Sequence, residues 1–194
     1  MDRLLTKDLL HRTNDRNVHV QMDLESTPCL GKWMGCRLLL NGDIQFEGEV
    51  KQHRHLDVRH TCESDTVKLT LEIYGKGNDG TSVNEQGEIL ENRSLAIQAL
   101  RINGANVMDN GYIFRATYDM HMDEDKKQYF EELRRPTTNN SHHFFEDGVW
   151  SIDFAVPILT GLIRWKASMG PKFETFERIP YAHIMEDIAR ELDL

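Results

Sequence analysis

Several things are scarce in this sequence, and each scarcity removes a class of function. Three cysteines, Cys29, Cys36 and Cys62, are odd in number and widely spaced, so they form neither a disulfide framework nor a paired zinc ribbon. They read as buried or idle thiols. No run of about 18 apolar residues occurs, which excludes a helical membrane span. Basic residues are outnumbered, 23 Lys and Arg against 32 Asp and Glu, for a formal charge of -9. A phosphate backbone is held by clustered Lys and Arg, so nucleic acid is not an expected partner.

Catalytic signatures are missing as well. There is no Gly-x-Ser-x-Gly elbow and no protease Cys/His motif. The start, MDRLLTKDLLHR, has its apolar residues interrupted by Thr6, Lys7 and Asp8, unlike a signal peptide, which predicts a chain made in a reducing cytoplasm.

Alternation of polar and apolar residues dominates the rest. Arg37–Leu40 and Asp43–Val50 flank Asn41-Gly42, a pair that accepts the positive φ of a tight hairpin turn. Thr66–Tyr74 puts Val67, Leu69, Leu71 and Ile73 on one face. Ser94–Ile102 precedes a second turn pair, Asn103-Gly104, and Tyr112–Tyr118 and Val149–Val156 add further β runs. Six or more strands without a helix after each predict a mainly β fold, an antiparallel β-sandwich of jelly-roll type.

The expected organisation is an N-terminal arm or irregular segment over 1–35, a sandwich over 36–170 and a C-terminal extension over 171–194. A helix is expected near 123–135, acidic at its start and closed by Leu133-Arg134-Arg135 before Pro136. Pro136 to Asp147 reads as an exposed polar loop, and Ile158–Trp165 as an apolar stretch of either type. Tyr181–Leu192 has the spacing of an amphipathic helix through Ile184, Ile188 and Leu192. With Leu4, Leu5 and Leu9 in the arm, and Trp165, these are the candidate interface residues of a homo-oligomer.

Two clusters invite a ligand. The loop after Leu69–Gly75 offers Asn78, Asp79, Glu85 and Glu88 as hard oxygen donors for calcium, although Lys76 sits in the wrong place for a phosphate loop. The same letters serve a plain Gly-rich connection, which selects Gly, Asn and Asp for backbone reasons and needs no cofactor. His53, His55, His60 and Cys62 would surround zinc if a turn fell at Leu56–Val58; as one edge strand they are solvated histidines. His142-His143 offers a weaker version beside Glu146 and Asp147. Among the aromatics Phe144, Phe145, Trp150, Phe154 and Trp165, strand alternation assigns Trp150 and Phe154 to the core rather than to sugar stacking.

Over about residues 36–165 the phrases Val67–Gly75, Gly87–Asn92, Ser94–Gly104 and Gly148–Ile158 resemble those of small β-sandwich virion proteins of tailed, in particular contractile-tailed, bacteriophages. Those domains in turn resemble the jelly-roll of calcium-dependent carbohydrate-binding modules. The resemblance implies a non-enzymatic structural component of a head, neck, tail or baseplate, made in the host cytoplasm and docked on other virion proteins. The alternative it leaves is a carbohydrate-binding module for host attachment, with a glycan as ligand. A small zinc-dependent enzyme built on His53–Cys62 is the third reading.

Overall fold

The computed structural model describes residues 16–109, 111–132, 138–139 and 141–168. Two antiparallel sheets face each other. The first has the order β12-β8-β1-β4, built from β1 (Asn17–Thr27), β4 (His53–Thr61), β8 (Ser94–Ile102) and the short β12 (His143–Phe144), with β9 (Ala105–Asn106) on β8. The second runs β11-β10-β13-β5-β2-β3, from β2 (Gly35–Leu40), β3 (Asp43–Glu49), β5 (Thr66–Tyr74), β10 (Thr117–Met120), β11 (Thr138–Asn139) and β13 (Gly148–Ala155). A separate ribbon pairs β6 (Thr81–Val83) with β7 (Ile89–Asn92). The mainly β, antiparallel sandwich expected from alternation is the fold.

Alternation places one row of each strand inside. Across the second sheet the paired residues Leu38, Leu71, Trp150 and Tyr118 form a continuous buried row. Across the first, Leu56, Met22 and Leu100 do the same. These rows meet face to face, and the burial of such apolar area is the main stabilising term. Both turn pairs behave as expected: Asn41 and Gly42 have φ 52° and 91°, Asn103 and Gly104 50° and 83°.

Four expectations need correction. The segment 1–35 is not an arm or irregular throughout, because β1 lies within it, between β8 and β4 in the first sheet. Val18, Val20, Met22 and Leu24 point inward and His19, Gln21 and Asp23 alternate with them. The β run at Tyr112–Tyr118 is instead a single 3-10 turn, Tyr112–Arg115, followed by β10. Its aromatic ring faces the core as a strand residue would, so alternation alone misread it. Pro136–Asp147 is not simply exposed, since Phe144 is wholly buried edge-on to Tyr118, with ring centroids 4.8 Å apart. Trp165 lies in a helix, α2 (Ile158–Ser168), half-buried and edge-on to Tyr112 at 4.9 Å, so it packs on its own sandwich.

The helix near 123–135 is α1 (Glu124–Glu132), where Asp123 caps by accepting from the Lys126 N–H at 2.8 Å. Leu4, Leu5, Leu9, Ile184, Ile188, Leu192 and the helix expected over Tyr181–Leu192 lie outside the described residues.

Two glycines separate a hard wall from a soft one. A Cβ on Gly148 would stand 2.4 Å from the Asp119 carbonyl and 2.8 Å from the Tyr118 ring, both fixed in the sheet. One on Gly35 would stand 2.3 Å from the Tyr74 ring, which is exposed and free to swing away. Gly148→Ala is therefore expected to cost about 1–3 kcal/mol and Gly35→Ala clearly less, read as chemical unfolding midpoints. Equal costs would contradict this packing.

Candidate functional site

The Gly-rich loop after β5 folds around its own cations. Lys76 is 6% exposed and donates to the Gly80 carbonyl at 2.9 Å, the Arg93 carbonyl at 3.0 Å and the Asn92 side-chain oxygen. Burial pushes its ammonium below the ordinary lysine value. Arg93, 3% exposed, donates to the carbonyls of Gly75, Lys76 (3.1 Å) and Cys29 (3.3 Å) and to Asp79. Asp79 also receives Lys32 at 2.5 Å, and this hydrogen bond leads the causes that hold its carboxyl below the usual range. Gly80 presses so closely on the Lys76 carbonyl and stem that no Cβ fits there.

The calcium set does not converge. Asp79 is engaged by Lys32 and Arg93 at the loop base, while Glu88 accepts from Asn84 at 2.7 Å in the β6–β7 turn, with exposed Glu85 beside it. Carbonyl oxygens that would suit a hard cation face Lys76 and Arg93 instead. The zinc set does not converge either. β4 is one unbroken nine-residue strand, so no turn falls at Leu56–Val58. His53 and His55 point outward, whereas His60 and Cys62 occupy the opposite face, with the Cys62 thiol buried. Among the described residues no group of three or more His, Cys, Asp or Glu side chains is arranged to hold a metal ion. Treatment with EDTA is expected to leave the melting temperature unchanged, and a fall of several degrees would refute this account of the loop.

All three thiols are buried, and burial pushes Cys36 up to about 12, far from the thiolate that nucleophilic chemistry requires. His142 is held below its ordinary value, first by burial and then by the neighbouring His143 ring at 4.7 Å. The Glu146 carboxylate is taken by Lys126 at 2.6 Å and an Asp147 oxygen by the Lys76 N–H at 2.8 Å.

What the fold does assemble is a polar surface that the sequence did not announce. The outward residues of β1 and β4 interlock: His19 bonds Asp57 at 2.8 Å, Gln21 donates to Asp57 at 3.2 Å, and His55 bonds Asp23 at 2.7 Å. The His19 bond leads the causes that lower the Asp57 carboxyl. At one end of this face an open groove of about 650 Å³ is lined by Asn17, His19, Gln21, Arg59, Thr61 and Asn103. The Asn103-Gly104 turn fixes its wall, because Asn103 accepts from the His19 N–H at 2.7 Å and donates to the Asn17 carbonyl at 2.8 Å. Strict alternation of Val-His-Val-Gln-Met-Asp in β1 was the available signal.

Among the described residues no Phe, Tyr or Trp occurs in β1, β4 or β8, so these strands bring no large aromatic platform to the face. Trp150, Phe154 and Phe144 are core; Phe145 and Phe114 are exposed elsewhere.

Compared in sequence, the chain matches no family model and no curated protein. Among solved structures it is similar to vCBM60 in complex with galactobiose, at 10% identity and a TM-score of 0.39, over 69% of this chain and 95% of that one. It is also similar, at 8% identity and a TM-score of 0.37, to the selenomethionine form of vCBM60, over 69% of this chain and 88% of that one. That second structure was described as part of an evolutionary link by circular permutation between two families of calcium-dependent carbohydrate-binding modules.

Proposed function

We propose that this β-sandwich is a non-catalytic recognition module that holds a glycan in the groove at the end of the first sheet. The observation that carries this reading is the groove's lining. Amide, imidazole, guanidinium and hydroxyl groups, with the apolar Val18 and Leu159 beside them, line a space of about 650 Å³, within the range of small-ligand sites. Such a lining suits a ligand rich in hydroxyls, because each buried polar group must find a partner on binding. With no Phe, Tyr or Trp lining the groove among the described residues, recognition rests on hydrogen bonds, which favours modest affinity and strong dependence on hydroxyl stereochemistry.

A glycan array followed by titration calorimetry, each with and without EDTA, tests this. Binding that is unchanged by chelator and lost in Arg59→Ala supports it. No binding to any glycan sinks it.

A second reading keeps the module non-catalytic but makes its ligand a protein. Val83, Ile89 and Leu90 are 55–64% exposed on the β6–β7 ribbon, and Leu30 stands beside them with its N–H held by Glu91 at 2.7 Å. Exposed apolar residues on a projecting ribbon suit docking in an assembly such as a phage virion, the chain being made in the host cytoplasm. Co-purification with a particle, in the absence of glycan binding, would favour this second reading.

A further inference from the structure

The two sheets end on one flank in strands of opposite charge. β3 is the edge of the second sheet and carries Asp43, Glu47 and Glu49 with no basic residue. β4 is the edge of the first sheet and carries Arg54, Arg59, His53, His55 and His60 against one acid, Asp57, which His19 and Gln21 already engage. Among the described residues nothing pairs with the outer backbone of either strand. In a chain of net charge -9 with histidine counted neutral, an edge strand with two Arg against one Asp stands out as net positive.

An open edge is a template for another strand, and proteins usually blunt it with charge. Here the charges on neighbouring edges are complementary, which turns a block against indiscriminate pairing into a filter for one partner.

The geometry names that partner. β3 and β4 are consecutive, joined by only Val50, Lys51 and Gln52, and the Arg54 guanidinium stands 5.0 Å over the Phe46 ring. Residues 46 and 54 lie equally far from Val50, so the chain reverses as it passes between sheets, and both edges open on the same side. A twofold axis along the strands beside this flank sets β4 of one copy against β3 of another. The same operation sets β3 of the first against β4 of the second. Because the chain reverses between them, each new pair is antiparallel.

We infer that two copies of this chain join edge to edge through β3 and β4, extending both sheets across a closed twofold dimer. The contact is isologous: each copy gives one basic and one acidic edge, and none is left open to propagate a filament.

Light scattering coupled to size exclusion, over a range of protein and salt concentrations, tests it with the full chain. The expected result is a monomer–dimer equilibrium whose dissociation constant rises at least about tenfold from low to high salt, as screening weakens exposed charges. Two charge-reversed variants provide the specific test, Arg54→Glu with Arg59→Glu on β4, and Asp43→Lys with Glu49→Lys on β3. Each alone brings like charges together and is expected to be monomeric. Mixed in equal amounts they present matched edges at both contacts and should form a heterodimer, which also shows that both variants are folded. A wild-type monomer at every concentration in low salt overturns the inference. So does a dimer that survives either reversal, a mixture that stays monomeric, or species that grow without limit.

Discussion

Replacing Arg93 by Ala is expected to destabilise the protein by about 2–4 kcal/mol, since it removes a buried cation and the donors of several enclosed carbonyls, while Asp79 stays partly open to water. The side chain is almost completely enclosed and donates to three backbone carbonyls, those of Cys29 and of the consecutive residues Gly75 and Lys76, while pairing with Asp79. Truncation takes this donor from the Gly75 and Lys76 oxygens, whereas the Cys29 oxygen keeps the Lys32 N–H at 3.0 Å. An unmade bond to a buried group costs more than the bond itself contributes. Lys76 lies in the same cluster and cannot compensate, because its ammonium is already committed to Gly80, Asn92 and the Arg93 carbonyl. Arg93→Lys should recover only part of the loss, since one ammonium cannot satisfy acceptors spread around a planar fork. As a control, Lys127→Ala removes an exposed pair with Glu124 and should leave the unfolding midpoint essentially unchanged. Urea unfolding reads all three. An Arg93→Ala cost below about 1 kcal/mol would show that the cluster does not organise the loop.

The second large effect is expected at Trp150. It is wholly buried in the row between Leu71 and Tyr118, and Trp150→Ala should cost about 3–5 kcal/mol through the cavity it leaves. Trp150→Phe should cost far less than half of that. Among the described residues the indole N–H has no hydrogen-bond partner, so Phe sheds an unsatisfied donor while keeping most of the ring. Two denaturation curves separate these effects. If Phe proved as damaging as Ala, an unseen hydrogen bond at the indole would be the better explanation.

Much of the sandwich was legible in residues, because a two-residue period records directly which face is buried. β5 and β13 emerged where the alternation placed them, and the Asn-Gly pairs marked their turns without ambiguity. β1 was missed although its alternation is as regular, since the His, Gln and Asp between its apolar residues lend it the look of a loop. Phe144 was missed for the opposite reason: a polar neighbourhood hid a single residue that drops between the sheets. The site was far less legible. Asp79, Lys76 and Arg93 are a short distance apart in sequence, yet which cation meets which oxygen depends on a turn near Cys29 more than 40 residues away. The groove needs β1, β4 and the turn after β8, three segments that no local pattern links.

Cys29, Cys36 and Cys62 are each free and enclosed, and each lies in a different part of the molecule: against the Gly-rich loop, within β2, and just past the end of β4. A thiol reagent can reach each one only when its own neighbourhood opens. The protein thus carries three separate clocks of local opening. The order in which they are labelled would record whether the loop, the second sheet or the basic edge loosens first.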